Sequence, residues 1–225
     1  MGAGPLRGDM STEPRAVLFP REVTTDRLRL VAADTETVDP FELYGYCREG
    51  APNVEAVTRY LTWEPYATVN DAFEFLERCE SGFEEGEAAN YAIIPGESEP
   101  ETGEFAGMAA LSADWDRRLG TLGTWLRKPF WGRGYSGERA RALMRVAFDR
   151  LDLDAVAVTC HAENEKSRSA VRKYVEAAGG REEGLLRNHV RYRDGVADSY
   201  RFSVTRAEWA ASLGPGAEQG ADGDG

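Results

Sequence analysis

The feature that most constrains this chain is a glycine-rich segment between a strand-like run and a long amphipathic pattern, Trp131-Gly132-Arg133-Gly134-Tyr135-Ser136-Gly137. Gly132 and Gly134 permit a tight turn and let a ligand approach the backbone closely. The first amides of the helix that follows have no intrahelical acceptor, and the helix dipole adds partial positive charge there. The segment therefore predicts a cradle for an anion such as phosphate, with Ser136 as the helix cap.

The residues after the glycines predict a helix and then a buried strand. Apolar side chains recur at the spacing of one buried helix face at Ala140, Leu143, Met144, Ala147 and Leu151. The charged side chains of this stretch fall on other faces, namely Arg139, Arg141, Arg145 and Asp149. Residues 155–160 are apolar and partly β-branched, which is typical of a strand buried on both faces.

The rest of the chain predicts further strands and another helix. Alternation and turn residues place strands at residues 25–30, 90–94, 104–111 and 120–126, the last two as a hairpin. Asn70 is predicted to cap a helix whose apolar members include Phe73, Leu76 and Cys79. Antiparallel strands followed by a strand-helix-strand unit predict a mixed α/β (α+β) sheet.

The glycines also match the dinucleotide-binding fingerprint GxGxxG through Gly132, Gly134 and Gly137. That fingerprint requires glycines directly after a strand and an acidic residue at the end of the next strand. Here residues 127–131 separate the strand from the glycines, and Asp152 and Asp154 precede the next strand. A nucleotide-dependent oxidoreductase is therefore the least favoured interpretation.

A longer segment around the glycines resembles the acetyl-CoA motif of the GNAT N-acetyltransferases, most closely the RimJ/RimL-like protein N-terminal acetyltransferases. That segment reads Leu122-Gly123-Thr124-Trp125-Leu126-Arg127-Lys128-Pro129-Phe130-Trp131-Gly132-Arg133-Gly134-Tyr135. Similar residues of the family also match Asp114-Trp115-Asp116, Asn164, Ser167, Glu183-Gly184-Leu185-Leu186-Arg187 and Asp198-Ser199-Tyr200-Arg201-Phe202-Ser203. The resemblance extends over residues 24–209.

The resemblance implies a mostly antiparallel, twisted sheet, flanked by helices, whose two central strands splay apart around acyl-CoA. Strand amides near residues 125–127 would bind the pantetheine and polarise the thioester carbonyl. Asn164 would contact the cofactor from the other strand, or cap the helix predicted at residues 167–178, or do both. The implied cofactor-binding residues are Trp125, Leu126, Arg127, Trp131, Gly132, Arg133, Gly134, Tyr135, Ser136, Gly137, Asn164 and Ser167.

Two positions depart from the family pattern. Thr121 stands where this branch often has a glutamate base, and Val171 stands where many members have a tyrosine acid. Threonine cannot act as a base near neutral pH. Ser167 and Tyr174, which lies one helical turn after Val171, are the predicted catalytic proton donors to the departing thiolate. A base acting through water would be Asp114, Asp116 or Glu104.

The formal net charge of −12 disfavours a nucleic-acid or anionic-membrane partner. Lysine occurs only at Lys128, Lys166 and Lys173, and this acidic, lysine-poor composition resembles halophilic proteins. A basic side chain in such a chain is more often than usual paired with a specific anion. Arg127, Lys128 and Arg133 beside the glycines are therefore the candidates for contacts to the pyrophosphate and the 3′-phosphate.

Composition also sets expectations about location and domains. No apolar run approaches the ~20 residues that span a bilayer, which predicts a cytoplasmic protein. Residues 21–212 are predicted to form a single acetyltransferase domain, between a disordered tail at residues 1–20 and a disordered acidic, glycine-rich tail at residues 213–225.

Neither the cysteines nor the histidines have the spacing of a metal site. The three cysteines are scattered, and His161 and His189 are far apart in the sequence, so no metal and no disulfide framework is predicted. Three tryptophans could line an acceptor channel or belong to the core, namely Trp63, Trp115 and Trp125.

Three hypotheses about function follow. The first is an acetyl-CoA-dependent N-acetyltransferase that acts on a primary amine by direct attack on the thioester, with a protein or peptide N-terminus favoured by the resemblance. The second is a GNAT-fold module that binds acyl-CoA with little catalysis, because Thr121 and Val171 replace two expected proton carriers. The third is the nucleotide-dependent oxidoreductase. A homodimer is left open.

Overall fold

One mixed sheet flanked by helices forms the part of the chain that the computed structural model describes, residues 17–193 and 195–214. The strands are β1 (Glu22–Thr24), β2 (Leu28–Ala32), β3 (Ala88–Pro95), β4 (Gly107–Asp114), β5 (Leu119–Leu126), β6 (Ala155–His161), β7 (Arg181–Tyr192) and β8 (Gly195–Thr205). The helices are α1 (Pro40–Cys47), α2 (Val54–Thr58), α3 (Val69–Glu85), α4 (Tyr135–Arg145), α5 (Glu165–Ala177) and α6 (Arg206–Leu213).

The sheet has the strand order β1-β2-β3-β4-β5-β6-β8-β7. Within the described residues, β5 and β6 are its one parallel pair, and every other pair of neighbours is antiparallel. A parallel pair needs a crossover connection, and α4 supplies it. The prediction of a mostly antiparallel sheet flanked by helices is confirmed.

The parallel pair separates part of the way along its length. Residues 119–122 of β5 pair with residues 155–158 of β6. Beyond that point β5 continues to Leu126 paired with β4, and β6 continues to His161 paired with β8. The predicted splay of two central strands is therefore present, and the segment Gly123 to Leu126 has no strand partner on the β6 side among the described residues.

Both faces of the sheet are buried at β3. Tyr91 and Ile93 of β3 pack in one apolar cluster with α4 and α5, whereas Ala92 between them packs in a second cluster with α1 and α3. This alternation is that of a strand with a period of two residues. The splay between β5 and β6 can therefore be reached from two different helical layers.

Several predicted element boundaries are wrong by a few residues. The N-cap of α4 is Gly134, so Ser136 lies inside the helix, and the N-cap of α3 is Thr68 instead of Asn70. Asp71 explains the second shift, because its carboxylate accepts from the Thr68 N–H at 2.8 Å. Of the apolar residues predicted in α3, Phe73 is 42% exposed, whereas Leu76 and Cys79 are buried.

The predicted tail at residues 1–20 extends too far into the chain. Phe19 is fully buried, with its ring centroid 6.1 Å from that of Phe83. The Nε of Arg150 donates to the Leu18 carbonyl at 2.7 Å, which holds the same segment against the domain. Residues 1–16 and 215–225 of the predicted tails lie outside the described residues.

None of the helices within the described ranges combines the length and the apolar composition needed to cross a membrane.

Candidate functional site

The glycine-rich segment forms a tight turn at the start of α4. Gly132 has a φ of 79° and Gly134 a φ of 84°, both in the left-handed region that side chains with a Cβ disfavour. A Cβ at Gly134 would also lie 3.4 Å from Nη2 of Arg27. The prediction that these glycines are needed for a turn is confirmed.

The amides of this turn point to no protein acceptor. Within the described residues, the backbone N–H groups of five consecutive residues, 132–136, donate no hydrogen bond to the protein. The next two do, because Gly137 and Glu138 donate to the Gly134 carbonyl at 3.1 and 3.2 Å. Five free donors at the positive end of a helix have the arrangement of a backbone nest, which in other proteins binds anions.

Arg27 fastens this nest to the beginning of the sheet. Its backbone N–H and its Nε donate to the two carboxylate oxygens of Glu138 at 2.8 Å each, and its Nη1 donates to the Arg133 carbonyl at 3.0 Å. The Thr25 hydroxyl donates to the same carboxylate at 2.6 Å. Burial acts to raise the pKa of Glu138, but the hydrogen bonds from Thr25 and Arg27 outweigh it and lower that pKa. The turn is therefore held in place by a contact 111 residues away in sequence, which the sequence did not predict.

A cavity of about 420 Å³ opens beside the nest, between α4 and α5. Its walls include Leu126, the loop glycines, Tyr174 and the small side chains of α5. Arg141 and Lys173 also line it, and neither forms an ion pair with a carboxylate of the described residues. This volume is typical of a site for a small molecule or cofactor.

The three cations predicted to contact phosphates are not on this cavity. Arg133 forms a bidentate ion pair with Glu101, so its charge is already compensated. Arg127 donates to the Phe105 carbonyl at 2.6 Å, and it lines a second cavity together with Lys128. Their contacts to phosphate therefore stay a prediction, and Arg141 and Lys173 are basic residues that line this cavity.

The backbone of Arg127 is not a free strand donor either. Its N–H donates to the Ala106 carbonyl at 2.8 Å, because the β4–β5 ladder continues one residue beyond the strand. Trp131, the first residue of the predicted loop, donates its N–H to the Lys128 carbonyl at 3.1 Å. The free edge of β5 is thus confined to the residues between Gly123 and Leu126.

Asn164 and Ser167 lie at the end of β6, beside the splay. The Asn164 side-chain oxygen accepts from the Ser167 N–H at 3.1 Å, so the capping role is confirmed. The Ser167 side chain acts to lower the pKa of the Cys160 thiol on β6, but the effect of burial is larger. Burial raises the pKa of Cys160 to about 11, so the thiol is neutral at physiological pH.

Tyr174 reaches the base of the splay from α5, whereas Val171 is core. The Tyr174 hydroxyl is buried and has no hydrogen-bond partner in the described part of the chain. Its ring centroid lies 5.8 Å from the guanidinium carbon of Arg139, whose Nη1 donates to the Gly123 carbonyl at 3.3 Å. Arg139 was expected away from the buried face of α4, but it is 1% exposed.

A second cavity, of about 240 Å³, lies on the other face of the sheet. Trp63 and Trp125 line it, with ring centroids 5.5 Å apart and planes at 60°. Trp125 belongs to the part of β5 that has separated from β6, so this cavity adjoins the splay. Trp115 is remote from it, since its Nε1 donates to the Gly86 carbonyl at 2.9 Å.

Two of the three acids predicted near the site are far from it. Asp114 pairs with Leu119 at the closed end of the β4–β5 hairpin, and Asp116 lies in the turn. The splay begins at Gly123 and ends at Leu126, roughly 13 to 23 Å from Leu119 for four to seven residues of extended chain. Glu104 is nearer, but its carboxylate lies 3.5 Å from Nη1 of Arg127.

His161 packs between Tyr60 and Tyr192, with ring centroids at 5.0 and 4.5 Å, and its Nδ1 accepts from the Glu163 N–H at 3.1 Å. In the described ranges, no cluster of three or more side chains could hold a metal ion.

Comparison with known proteins identifies the family of this chain. A family model for the acetyltransferase (GNAT) domain matches residues 27–174. The uncharacterized N-acetyltransferase p20 of Bacillus licheniformis is 26% identical over 187 residues, which are 83% of this chain and 97% of that protein.

Two solved structures share the fold. A GCN5-related N-acetyltransferase from Brucella melitensis has a TM-score of 0.69 and 24% identity, over 88% of this chain and 86% of that one. RimL, a ribosomal L7/L12 α-N-protein acetyltransferase in complex with coenzyme A, has a TM-score of 0.68 and 19% identity, over 82% of this chain and 97% of that one. The chain belongs to the GNAT N-acetyltransferase family, and the RimJ/RimL-like branch is the one its motifs resemble most.

Proposed function

We propose that this chain transfers an acetyl group from acetyl-CoA to a primary amine, specifically the α-amine of a protein or peptide N-terminus. The observation that carries the proposal is the nest of free amides at residues 132–136, which opens onto the 420 Å³ cavity beside the splay. A diphosphate ester offers the acceptor oxygens and the negative charge that such a nest binds.

The residues around the nest fit the rest of the cofactor. Arg141 and Lys173 supply uncompensated positive charge for its phosphates. The apolar wall formed by Leu126 and α5 suits the pantetheine, which would extend toward the free edge of β5. At the far end of this path, the side-chain NH₂ of Asn164 donates to no acceptor among the described residues and is available to a pantetheine carbonyl.

The amine acceptor is proposed to enter through the smaller cavity on the opposite face. Trp63 and Trp125 present aromatic rings there, and such rings attract ammonium groups and pack well against apolar side chains. A volume of about 240 Å³ accommodates one or two terminal residues of a peptide. The likeness of the motifs to protein N-terminal acetyltransferases favours this acceptor over a free metabolite.

The chemistry is direct transfer. The neutral amine attacks the thioester carbon, the C–N bond forms, the C–S bond breaks, and the thiolate takes the proton of the Tyr174 hydroxyl. An α-amine has a pKa near 8, so a useful fraction is neutral at pH 7. Attack leaves a positive charge on the nitrogen, which then releases one proton to water to give the neutral amide. Backbone donors on the free edge between Gly123 and Leu126 stabilise the oxyanion. Ser167, the other predicted proton donor to the thiolate, lies near Cys160 at the end of β6.

The alternative is a module that binds acyl-CoA and turns it over very slowly. It is favoured by Thr121 and Val171, which leave the chain without the acid and base that the family commonly uses at these positions. The oxidoreductase hypothesis is wrong, because a dinucleotide-binding fold requires a parallel sheet and this sheet is mostly antiparallel.

The test is CoA release by the full chain, measured with N-terminal peptides of varied first residue and with lysine-type and small free amines. Peptide-dependent release, with mass spectrometry locating the acetyl group on the α-amine, is the expected result. Calorimetric binding of acetyl-CoA without release toward any amine would support the alternative and refute catalysis. Release with small amines alone would refute the N-terminal acceptor.

A further inference from the structure

Arg139 is a charged side chain in the interior of the protein. It is 1% exposed, and no carboxylate of the described residues lies within ion-pair distance of it. Its Nη1 donates to the Gly123 carbonyl at 3.3 Å, and its buried Nε has no hydrogen-bond partner. A buried charge without a counter-ion is strongly destabilising, so an apolar side chain would stabilise the fold at this position.

The guanidinium lies near the ring of Tyr174, a side chain that lines the proposed cofactor cavity. Its central carbon lies 5.8 Å from the ring centroid of Tyr174, and Tyr174 lines the cavity whereas Arg139 does not. The helices approach closely here, because a Cβ at Gly137 would lie 3.6 Å from the Tyr174 Cβ. Arg139 can therefore influence the cofactor through Tyr174.

Arg139 is the charged group that acts most strongly on the Tyr174 phenol. Among the described residues, the titratable groups that shift the pKa of Tyr174 are Arg139 from α4 and Cys160 from β6, whereas Glu138, Arg141 and Lys173 share its cavity without shifting that pKa. Cys160 is neutral, because burial raises its pKa to about 11. Burial raises the pKa of Tyr174, and the positive charge of Arg139 opposes that effect.

We propose that Arg139 is a positioning residue for proton transfer: anchored on the Gly123 carbonyl, its unpaired guanidinium makes the Tyr174 hydroxyl a stronger proton donor to the departing thiolate. As the C–S bond breaks, sulfur takes the Tyr174 proton, and the phenolate is stabilised by the adjacent positive charge until water returns the proton. This inference rests on the proposed transferase function, and it assigns the unsatisfied Tyr174 hydroxyl a partner in the reaction.

The test is a double-mutant cycle with Arg139→Met and Tyr174→Phe in the full chain, followed by the kcat for acetyl transfer and by acetyl-CoA affinity in calorimetry. Arg139→Met should lower kcat about tenfold or more while affinity changes less than about threefold. In the Tyr174→Phe background the same change should lower kcat no further, because Arg139 acts through the phenol. Arg139→Lys should restore part of the rate, and Arg145→Met, an exposed change on the same helix, is the control.

Two further measurements separate this role from a structural one. The unfolding midpoint of Arg139→Met should be equal to or above that of the unmodified chain, because an uncompensated buried charge has been removed. The Tyr174 hydroxyl must be protonated to donate, so kcat should fall as pH rises through the pKa of Tyr174. Arg139→Met should move this fall to higher pH, because the positive charge that lowers the pKa of Tyr174 has been removed.

The outcomes are distinct. Unchanged kcat in Arg139→Met, additive effects in the cycle, or a lower unfolding midpoint with loss of acetyl-CoA binding would each overturn the inference and leave the transferase in place. Absence of acetyl transfer by the unmodified chain would overturn the proposed function together with the inference.

Discussion

The backbone N–H and the side-chain Nε of Arg27 both donate to the Glu138 carboxylate, at 2.8 Å each. Glu138 lies in the first turn of α4, where a negative charge is favourable, and Arg27 lies next to β2. One carboxylate therefore joins the beginning of the sheet to the helix that presents the free amides. The position of the proposed phosphate site depends on this contact.

Replacing the Glu138 carboxylate should lower the free energy of unfolding by an amount that depends on pH. Glu138→Gln should lower the free energy of unfolding by about 2 kcal/mol at pH 7, since charge-assisted hydrogen bonds are lost. The folded-state pKa of Glu138 is lowered, so its stabilisation is fully present above the unfolded-state pKa and is lost as pH falls through the folded value. Urea unfolding at pH 7 and at steps below about 4.3 should show the difference between the two proteins shrinking in acid.

Glu22→Gln is the matched control for that measurement. Glu22 also pairs with an arginine, Arg29, at 2.8 Å, but both side chains are at least 42% exposed. An exposed pair contributes about 0–1 kcal/mol, so this variant should unfold nearly as the unmodified chain does. Equal losses in Glu138→Gln and Glu22→Gln would show that the partly buried contact between Arg27 and Glu138 has no special role.

A side chain at Gly134 should abolish the proposed phosphate site. Gly134→Asp places a like charge beside the free amides, and we expect acetyl-CoA affinity to fall by at least about 100-fold in calorimetry. Gly50→Asp is the control, because Gly50 has a similar φ of 74°, no atom of the described residues lies within 4 Å of a Cβ at that position, and Gly50 lines neither cavity. Similar affinity in both variants would contradict the assignment of the nest.

Replacing Trp63 should weaken the use of the amine acceptor without changing the affinity for acetyl-CoA. Trp63→Ala removes a wall of the 240 Å³ cavity, so we expect the KM of a peptide acceptor to rise about tenfold with acetyl-CoA affinity unchanged. Trp115→Ala tests the specificity of this effect, because Trp115 contacts Gly86 instead of the cavity. A loss of acetyl-CoA affinity in Trp63→Ala would mean that the two cavities had been assigned to the wrong substrates.

The cysteines should be unreactive in the folded protein. Burial raises the pKa of Cys47 and Cys79 to about 12 and that of Cys160 to about 11, so little thiolate exists at pH 8. With a disulfide reagent, we expect no rapid reaction in buffer and three thiols in denaturant. Rapid modification of a thiol in buffer would indicate local opening, and it would also disturb CoA assays based on such reagents.

Short sequence patterns correctly predicted the features that depend on neighbouring residues. The left-handed glycines, the α4 helix and the buried β6 strand follow from residue types at short spacing, and all three are present. The resemblance added the splay, which no periodicity indicates. Capping was less predictable, because Thr68 with Asp71 competes with Asn70 for the same helix start.

What the sequence could not predict depends on contacts between distant segments. Arg27 and Glu138 are 111 residues apart, and neither has a pattern that identifies the other. The burial of Arg139 follows from α5 packing on a second face of α4, which helical spacing assigns to solvent. Arg133 was predicted to bind phosphate because it adjoins the glycines, yet the distant Glu101 compensates its charge.

The two cavities on opposite faces of a sheet that is open between β5 and β6 determine the kinetic class of the proposed reaction. Donor and acceptor would enter by separate routes and meet in the gap, so neither has to leave before the other binds. Double-reciprocal plots of the initial rate against one substrate, at several fixed concentrations of the other, should therefore give intersecting lines, as they do for a ternary-complex mechanism. Parallel lines would require the chain to carry the acyl group covalently between two half-reactions.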